Sequence, residues 1–245
     1  MFGGGRRRNP LVPLPATADE ALASATAVVI THEHPDHLDA AGLAWIKERA
    51  LPVWTNGIDA PSLAKKGLAV RVLTDGSLGL EVETIRSRHV RGVLGWILGP
   101  VAGYYLAHPD EPSLYLIGDS ILTESVLEAI ERLKPGVIVA PAGAANMGVG
   151  GDILFSVDDL VALTRKARGQ VVLNHLEALD HCPTTRHDLR ARMKAEHLAD
   201  RVLVPEDGEA LTFRRQTPPS RISLRSGVEE RPGVQKWLTA KLAGT

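Results

Sequence analysis

Ala27-Val-Val-Ile-Thr31-His32-Glu33-His34-Pro35-Asp36-His37 is the stretch on which the reading of the whole chain turns. The β-branched run Val28, Val29 and Ile30 predicts a short buried strand. The loop after it carries three imidazoles and two carboxylates, Glu33 and Asp36, between residues 32 and 37. Loops at strand ends are where α/β folds carry their sites. In an H-x-H-x-D-H arrangement the first two histidines, two residues apart, can point the same way and grip one ion, while Asp36 and His37 turn toward a second position close by. Nine histidines in 245 residues make such a cluster improbable by chance, so the loop reads as metal-binding rather than as a solvated polar turn.

Outward from this loop, short apolar runs alternate with helical spacing. An amphipathic segment covers 40–49, strands are predicted at 52–55, 69–73, 80–86, 104–107, 114–118, 137–140, 171–174, 202–204 and 210–213, and helices at 123–133, 157–167 and 186–196. This is an α/β rhythm. Ser156 ahead of Asp158 and Asp159, and Thr185 ahead of Asp188, are N-cap signatures. Residues 1–16, rich in Gly, Arg and Pro, are expected to be irregular, and 17–215 to be the folded unit. Residues 216–245 form a polar tail in which Val234, Trp237, Leu238, Lys241 and Leu242 have the spacing of a short amphipathic helix.

A chain of this length should bury roughly 70% of its unfolded surface and needs no covalent staples. With 28 Lys and Arg against 29 Asp and Glu, no global field draws it to nucleic acid or an anionic membrane. The single Cys182 excludes an intramolecular disulfide and any CxxC site, so metal chemistry must use His and carboxylates. The apolar, uncharged run 92–107 is too short for a membrane span and is interrupted by Pro100. The first fifteen residues lack the apolar core of a secretion signal, so the cytoplasm is the expected compartment.

Three further segments follow the loop in order: Ser87-Arg-His89, Tyr115-Leu-Ile-Gly-Asp119-Ser120 and Val171-Val-Leu-Asn-His175. With them the chain resembles the metallo-β-lactamase superfamily, hydrolases of αββα architecture, over about residues 27–213. His89-Val-Arg-Gly92 and His175-Leu-Glu-Ala-Leu-Asp-His181-Cys-Pro183 are most similar to the branch around the ascorbate-phosphate lactonases and N-acyl phosphatidylethanolamine phospholipase D. The resemblance implies an α/β fold of the αββα sandwich type and two divalent metal ions. His32, His34 and His89 would hold the first, Asp36, His37 and His175 the second, with Asp119 bridging. Read on its own, Asp119 at a strand mouth is a ligand or the N-cap of a helix from Ile121. His89 is a ligand or a strand-edge histidine. His175 has His181 as its rival, and His181 otherwise donates a proton, contacts substrate or caps the next helix. Cys182 reads as a small buried residue rather than a nucleophile. His108, His187 and His197 read as solvated.

Two ions sharing a water lower its pKa toward 7 and hold it as hydroxide over a carbonyl or phosphoryl centre. Asp36 is expected to hydrogen-bond that hydroxide as well as to bind metal. A ligand set of N and O suits Zn2+, with Mn2+ or Fe also compatible. The expected function is a dinuclear hydrolase of a small ester, lactone or phosphodiester. The alternatives are an iron-dependent oxygenase on the same fold, or an inactive metal-binding remnant, because nothing before Ala27 supplies the strand pair that usually opens this superfamily. A homo-oligomer is the expected compensation for a lost pair. Finally, strand alternation sets Arg91 on the face of His89, where its guanidinium is expected either to clamp an anionic substrate group, with Trp96 and Tyr104 as an apolar lip, or to lie solvated on a sheet edge.

Overall fold

Alternation along each strand decides which layer a side chain enters. β1 (Val28–Ile30) runs parallel to β2 (Pro52–Thr55), and β2 parallel to β3 (Ala69–Val72), in a three-stranded sheet. Parallel neighbours need a crossover, which α2 (Ala40–Glu48) and α3 (Ala60–Lys65) provide; α1 (Ala18–Ala23) precedes β1. Ile30 and Val53 turn to the helix side and pack with Ile46 of α2 and Leu63 of α3. Val29 and Trp54 turn the other way and meet Val82, Ala102 and Tyr104.

Those last three residues belong to a second sheet of six strands. In order they are β4 (Glu81–Arg88), β5 (Pro100–Ala107), β6 (Leu114–Leu116), β7 (Val137–Pro141), β8 (Gln170–Asn174) and β9 (Val202–Leu203). β4 to β6 pair antiparallel and β6 to β9 parallel. Its far face, with Ile85, Tyr105, Tyr115, Ile138, Val171 and Leu173, packs with residues of α4 (Glu124–Leu133), α5 (Val157–Lys166) and α6 (Arg186–Ala195). The layers therefore run helix, sheet, sheet, helix, the mixed α/β sandwich that the resemblance implied.

This computed structural model describes residues 9–89, 100–145 and 153–214, all within a compact unit that extends to Arg215. The amphipathic spacing at 234–242, Trp96 and Arg91 lie outside the described residues. Among the described residues no helix is long and apolar enough to cross a membrane, and β1 pairs only with β2, so its other edge has no strand partner. Residues 9–11 are tied down: Asn9 Nδ2 donates to Asp180 Oδ1 at 3.0 Å, and the Leu11 amide donates to the Ala178 carbonyl at 2.8 Å.

Some local expectations change. Residues 210–213 form no strand. β5 begins at Pro100, four residues earlier than the alternation indicated, because it matches the full length of β4 from Arg88 to Glu81. Tyr104 is fully buried between the sheets and forms no lip. α1 and α3 were not foreseen; each has only six residues, too few for a helical period to stand out, and α1 buries none of its side chains.

Candidate metal centre

β1 ends where the histidine loop begins, and three buried side chains hold that junction. Thr55 Oγ1 and Tyr104 Oη both donate to the Ile30 carbonyl, at 2.9 and 3.0 Å, and Asn56 Nδ2 donates to the Thr31 carbonyl at 3.1 Å. The loop then closes on itself, with the His37 and Leu38 amides donating to the His34 carbonyl. Glu33, between the first two histidines, points away from them: it accepts from Ser62 Oγ at 2.6 Å and pairs with Lys66 at 3.1 Å.

The other contributors stand at the ends of second-sheet strands. His89 directly follows β4, Asp119 lies just past β6, and His175 directly follows β8. Gly118 (φ +70°) and His175 (φ +56°) occupy the left-handed region at the last two of these turns. For histidine that conformation is strained and persists only where the surroundings hold it.

These segments converge on one carboxylate oxygen. Asp119 Oδ2 lies 3.2 Å from His37 Nε2, 3.3 Å from His175 Nε2, 3.6 Å from His89 Nε2 and 3.8 Å from His32 Nε2. Donor atoms of His32, His34 and His89 lie within 4.8 Å of one another, and so do those of Asp36, His37, Asp119 and His175. The described residues thus present two adjoining donor groups, with Asp119 in one and beside two imidazoles of the other, and a third set, His175, His181 and Cys182, shares His175 with them. Asp119 caps no helix, since α4 begins at Glu124 with Thr123 as its cap.

The donor chemistry fits metal ions. His32, His37 and His175 each bury an Nε2 with no hydrogen-bond partner, a costly arrangement unless something accepts the lone pair. The outward nitrogens are engaged: His32 Nδ1 with Thr31 Oγ1 at 3.1 Å, His89 Nδ1 with the Ile153 carbonyl at 2.6 Å, and His175 Nδ1 with Cys182 Sγ at 3.3 Å. Such outer partners orient metal-binding imidazoles. No sequence signal marks Ile153, Asn56 or Tyr104, which reach the site only through tertiary packing.

Ionisation follows from this crowding. Burial, and then the charge of His37, lower His32 to about 3, so it is neutral near pH 7. Burial works against a charged His175, but the Asp119 and Asp36 carboxylates beside it prevail and push it up to about 12. The carboxyls respond in kind: against the effect of burial, Asp36 falls to about 2, and Asp119 drops well below the carboxylate range through His175 and His37.

His181 stands at the rim. Its side chain is 31% exposed, with Nε2 3.8 Å from Asp36 Oδ2 and Nδ1 3.6 Å from Asp180. Cys182 is buried, His187 and His197 are exposed, and the His108 side chain is 42% exposed. A cleft of about 400 Å3 reaches the centre from between the sheets; Val29, Trp45, Leu116 and Val139 line it, with His37, Asp119 and His175.

Comparison with known proteins adds to this geometry. A family model described as the beta-lactamase superfamily domain matches residues 3–176. UPF0173 protein YddR of Bacillus subtilis is 30% identical over 210 residues, covering 84% of this chain and 83% of the relative. Among solved structures, isothiocyanate hydrolase from Delia radicum gut bacteria is 28% identical with a TM-score of 0.78, covering 87% of each chain. A possible metal-dependent hydrolase from Veillonella parvula is 29% identical, also with a TM-score of 0.78, over 84% of this chain and 83% of the other.

Proposed function

The chain belongs to the metallo-β-lactamase superfamily, among its UPF0173 metal-dependent hydrolases, and from that premise we propose that it is a dinuclear hydrolase of a small ester, lactone or phosphodiester. The observation that carries this reading is the single Asp119 oxygen within 3.8 Å of four imidazole nitrogens drawn from both donor groups. In this reading His32, His34 and His89 hold one ion, Asp36, His37 and His175 the other, and Asp119 both. Zn2+ suits that donor set, and Mn2+ or Fe also satisfies it. When bound, the ions supply Lewis acidity toward the substrate and a water made acidic enough to attack near neutral pH.

The chain's own side chains do the rest. Asp36, with its side chain 20% exposed at the centre, accepts a hydrogen bond from the attacking water and orients it. His181, beside Asp36 and open to solvent, delivers a proton to the leaving group. Arg91 binds an anionic group of the substrate. Buried Thr55, Tyr104 and Asn56 hold the loop backbone, so the donors need little rearrangement. The setting in this reading is cytoplasmic and the partner a small molecule rather than nucleic acid.

The isothiocyanate hydrolase likeness favours a second substrate class. An isothiocyanate is a small neutral electrophile whose central carbon takes the same attack by water.

Elemental analysis of the purified protein, beside a panel of lactone, phosphodiester, thioester and isothiocyanate substrates, tests the proposal. Two equivalents of Zn or Mn and turnover of a panel member are expected, with Asp119→Asn reducing turnover at least roughly 100-fold while the fold persists. One Fe per chain with thiol-dependent oxygen uptake would sink the hydrolase in favour of an oxygenase. Bound metal with no turnover of any panel member would favour the inactive remnant.

A further inference from the structure

The chemistry above leaves Cys182 without a role, yet its sulfur lies 3.3 Å from His175 Nδ1 and the residue is only 6% exposed. Nε2 of the same ring faces the carboxylates of Asp119 and Asp36, at 3.3 and 3.4 Å. An imidazole that offers the Nε2 lone pair to an ion carries its proton on Nδ1, so here the ring donates and the sulfur accepts. The Ile153 carbonyl stands in the same relation to His89.

A second observation shows how closely the sulfur is held. A Cβ added to Gly143 would come within 2.4 Å of Cys182 Sγ and 2.6 Å of the His175 carbonyl oxygen. The backbone of residue 143 therefore packs against both residues at a distance that only glycine allows. The Thr184 amide donates to the Gly143 carbonyl, and the Cys182 amide to the Leu179 carbonyl, fixing the turn that carries the thiol. Sulfur, ring and backbone are pinned together at the one metal-centre histidine with left-handed φ.

We propose that Cys182 is a positioning residue: its sulfur accepts the Nδ1 proton of His175 and fixes the ring so that Nε2 points at the metal centre. This rests on the reading of His175 as a metal ligand. In this assignment the sulfur supports the ring and is not itself a ligand, although it lies within 4.8 Å of donor atoms of His175 and His181. Its effect is on the affinity of the ion that His175 holds, not on the identity of the nucleophile.

The test uses the full chain with Co2+, comparing wild type, Cys182→Ala and Cys182→Ser. Three readouts are taken: stepwise affinity, the paramagnetically shifted N–H proton resonances of the bound imidazoles, and the thermal midpoint. Cys182→Ala is expected to weaken one equivalent of Co2+ by about 10- to 100-fold, leave the other unchanged, and displace one N–H resonance. Cys182→Ser, which retains an acceptor, is expected to recover part of both effects.

Wild-type affinities and unmoved resonances in Cys182→Ala would overturn the proposal. So would a serine variant no better than alanine, or equal weakening of both equivalents together with a lowered thermal midpoint, which is general loosening. Wild type that takes up fewer than two equivalents would instead overturn the dinuclear reading, and the proposal with it.

Discussion

Around Asp119 the chain accepts a concentration of charge that an apolar core would not tolerate, and His175 carries most of the consequence. Held protonated up to about 12 in the metal-free chain, it must lose that proton before Nε2 can bind an ion. His32, at about 3, has none to lose near neutrality. Metal uptake at pH 7 is thus expected to release about one proton from His175, and apparent affinity to rise with pH by up to roughly tenfold per unit. Calorimetric titration in buffers of differing ionisation enthalpy measures this; heats independent of the buffer would contradict it. Between the two rival histidines, His175→Ala is expected to lower the occupancy of one ion far more than His181→Ala, because only His175 Nε2 lies near Asp119. Elemental analysis of the two variants decides, and the opposite order would exchange their roles. Asp119 and His175 were legible because each stands just past an apolar run, where a strand must stop. The supports of the site were not: Ile153 lies 64 positions from His89, and only packing joins them.

Helices were legible to the degree that their caps were written in side chains. α5 opens with a capping box in which Ser156 Oγ accepts from the Asp159 amide and Asp159 Oδ2 from the Ser156 amide, each at 3.1 Å. α6 opens on Thr185, whose Oγ1 accepts from the Asp188 amide. Both starts follow from residue type alone. The short α1 and α3 lack a side-chain cap bond, which is why nothing announced them. Residues 210–213 have the apolar content of a strand, but among the described residues no strand pairs with them. Two substitutions probe this scale in opposite directions. Ser156→Ala is expected to cost about 1 kcal/mol. Lys134, in the left-handed region at the end of α4 (φ +48°), pays for a conformation that glycine adopts easily, so Lys134→Gly is expected to gain roughly 0.5–1 kcal/mol. Urea unfolding of the metal-loaded variants measures both, and a gain from Ser156→Ala or a loss from Lys134→Gly would refute the respective assignment.

In the molecule as a whole the layers were foreseeable from the α/β rhythm, whereas the division of strands into three and six was not, because pairing order depends on tertiary contact. The candidate metal-site residues come from both sheets: 32–37 from the loop after β1, and 89, 119 and 175 from the ends of second-sheet strands. An ion shared between them would act as a cross-link in a chain whose single cysteine allows no internal disulfide. It ties residue 32 to 89, or 37 to 175, and in the chain-entropy picture a closure of about 100 residues restrains the unfolded state by roughly 4–5 kcal/mol. At free metal 100-fold above Kd the folded state gains about 2.7 kcal/mol per ion. Chelation is therefore expected to lower the thermal midpoint by roughly 5–10 °C per ion lost, read by scanning calorimetry; an unchanged midpoint would mean that the ions do not brace the sheets. The further consequence concerns persistence rather than catalysis. A fold fastened by removable ions has a lifetime set by their supply, so a chain starved of metal is expected to be cut by proteases at concentrations that leave the loaded form whole.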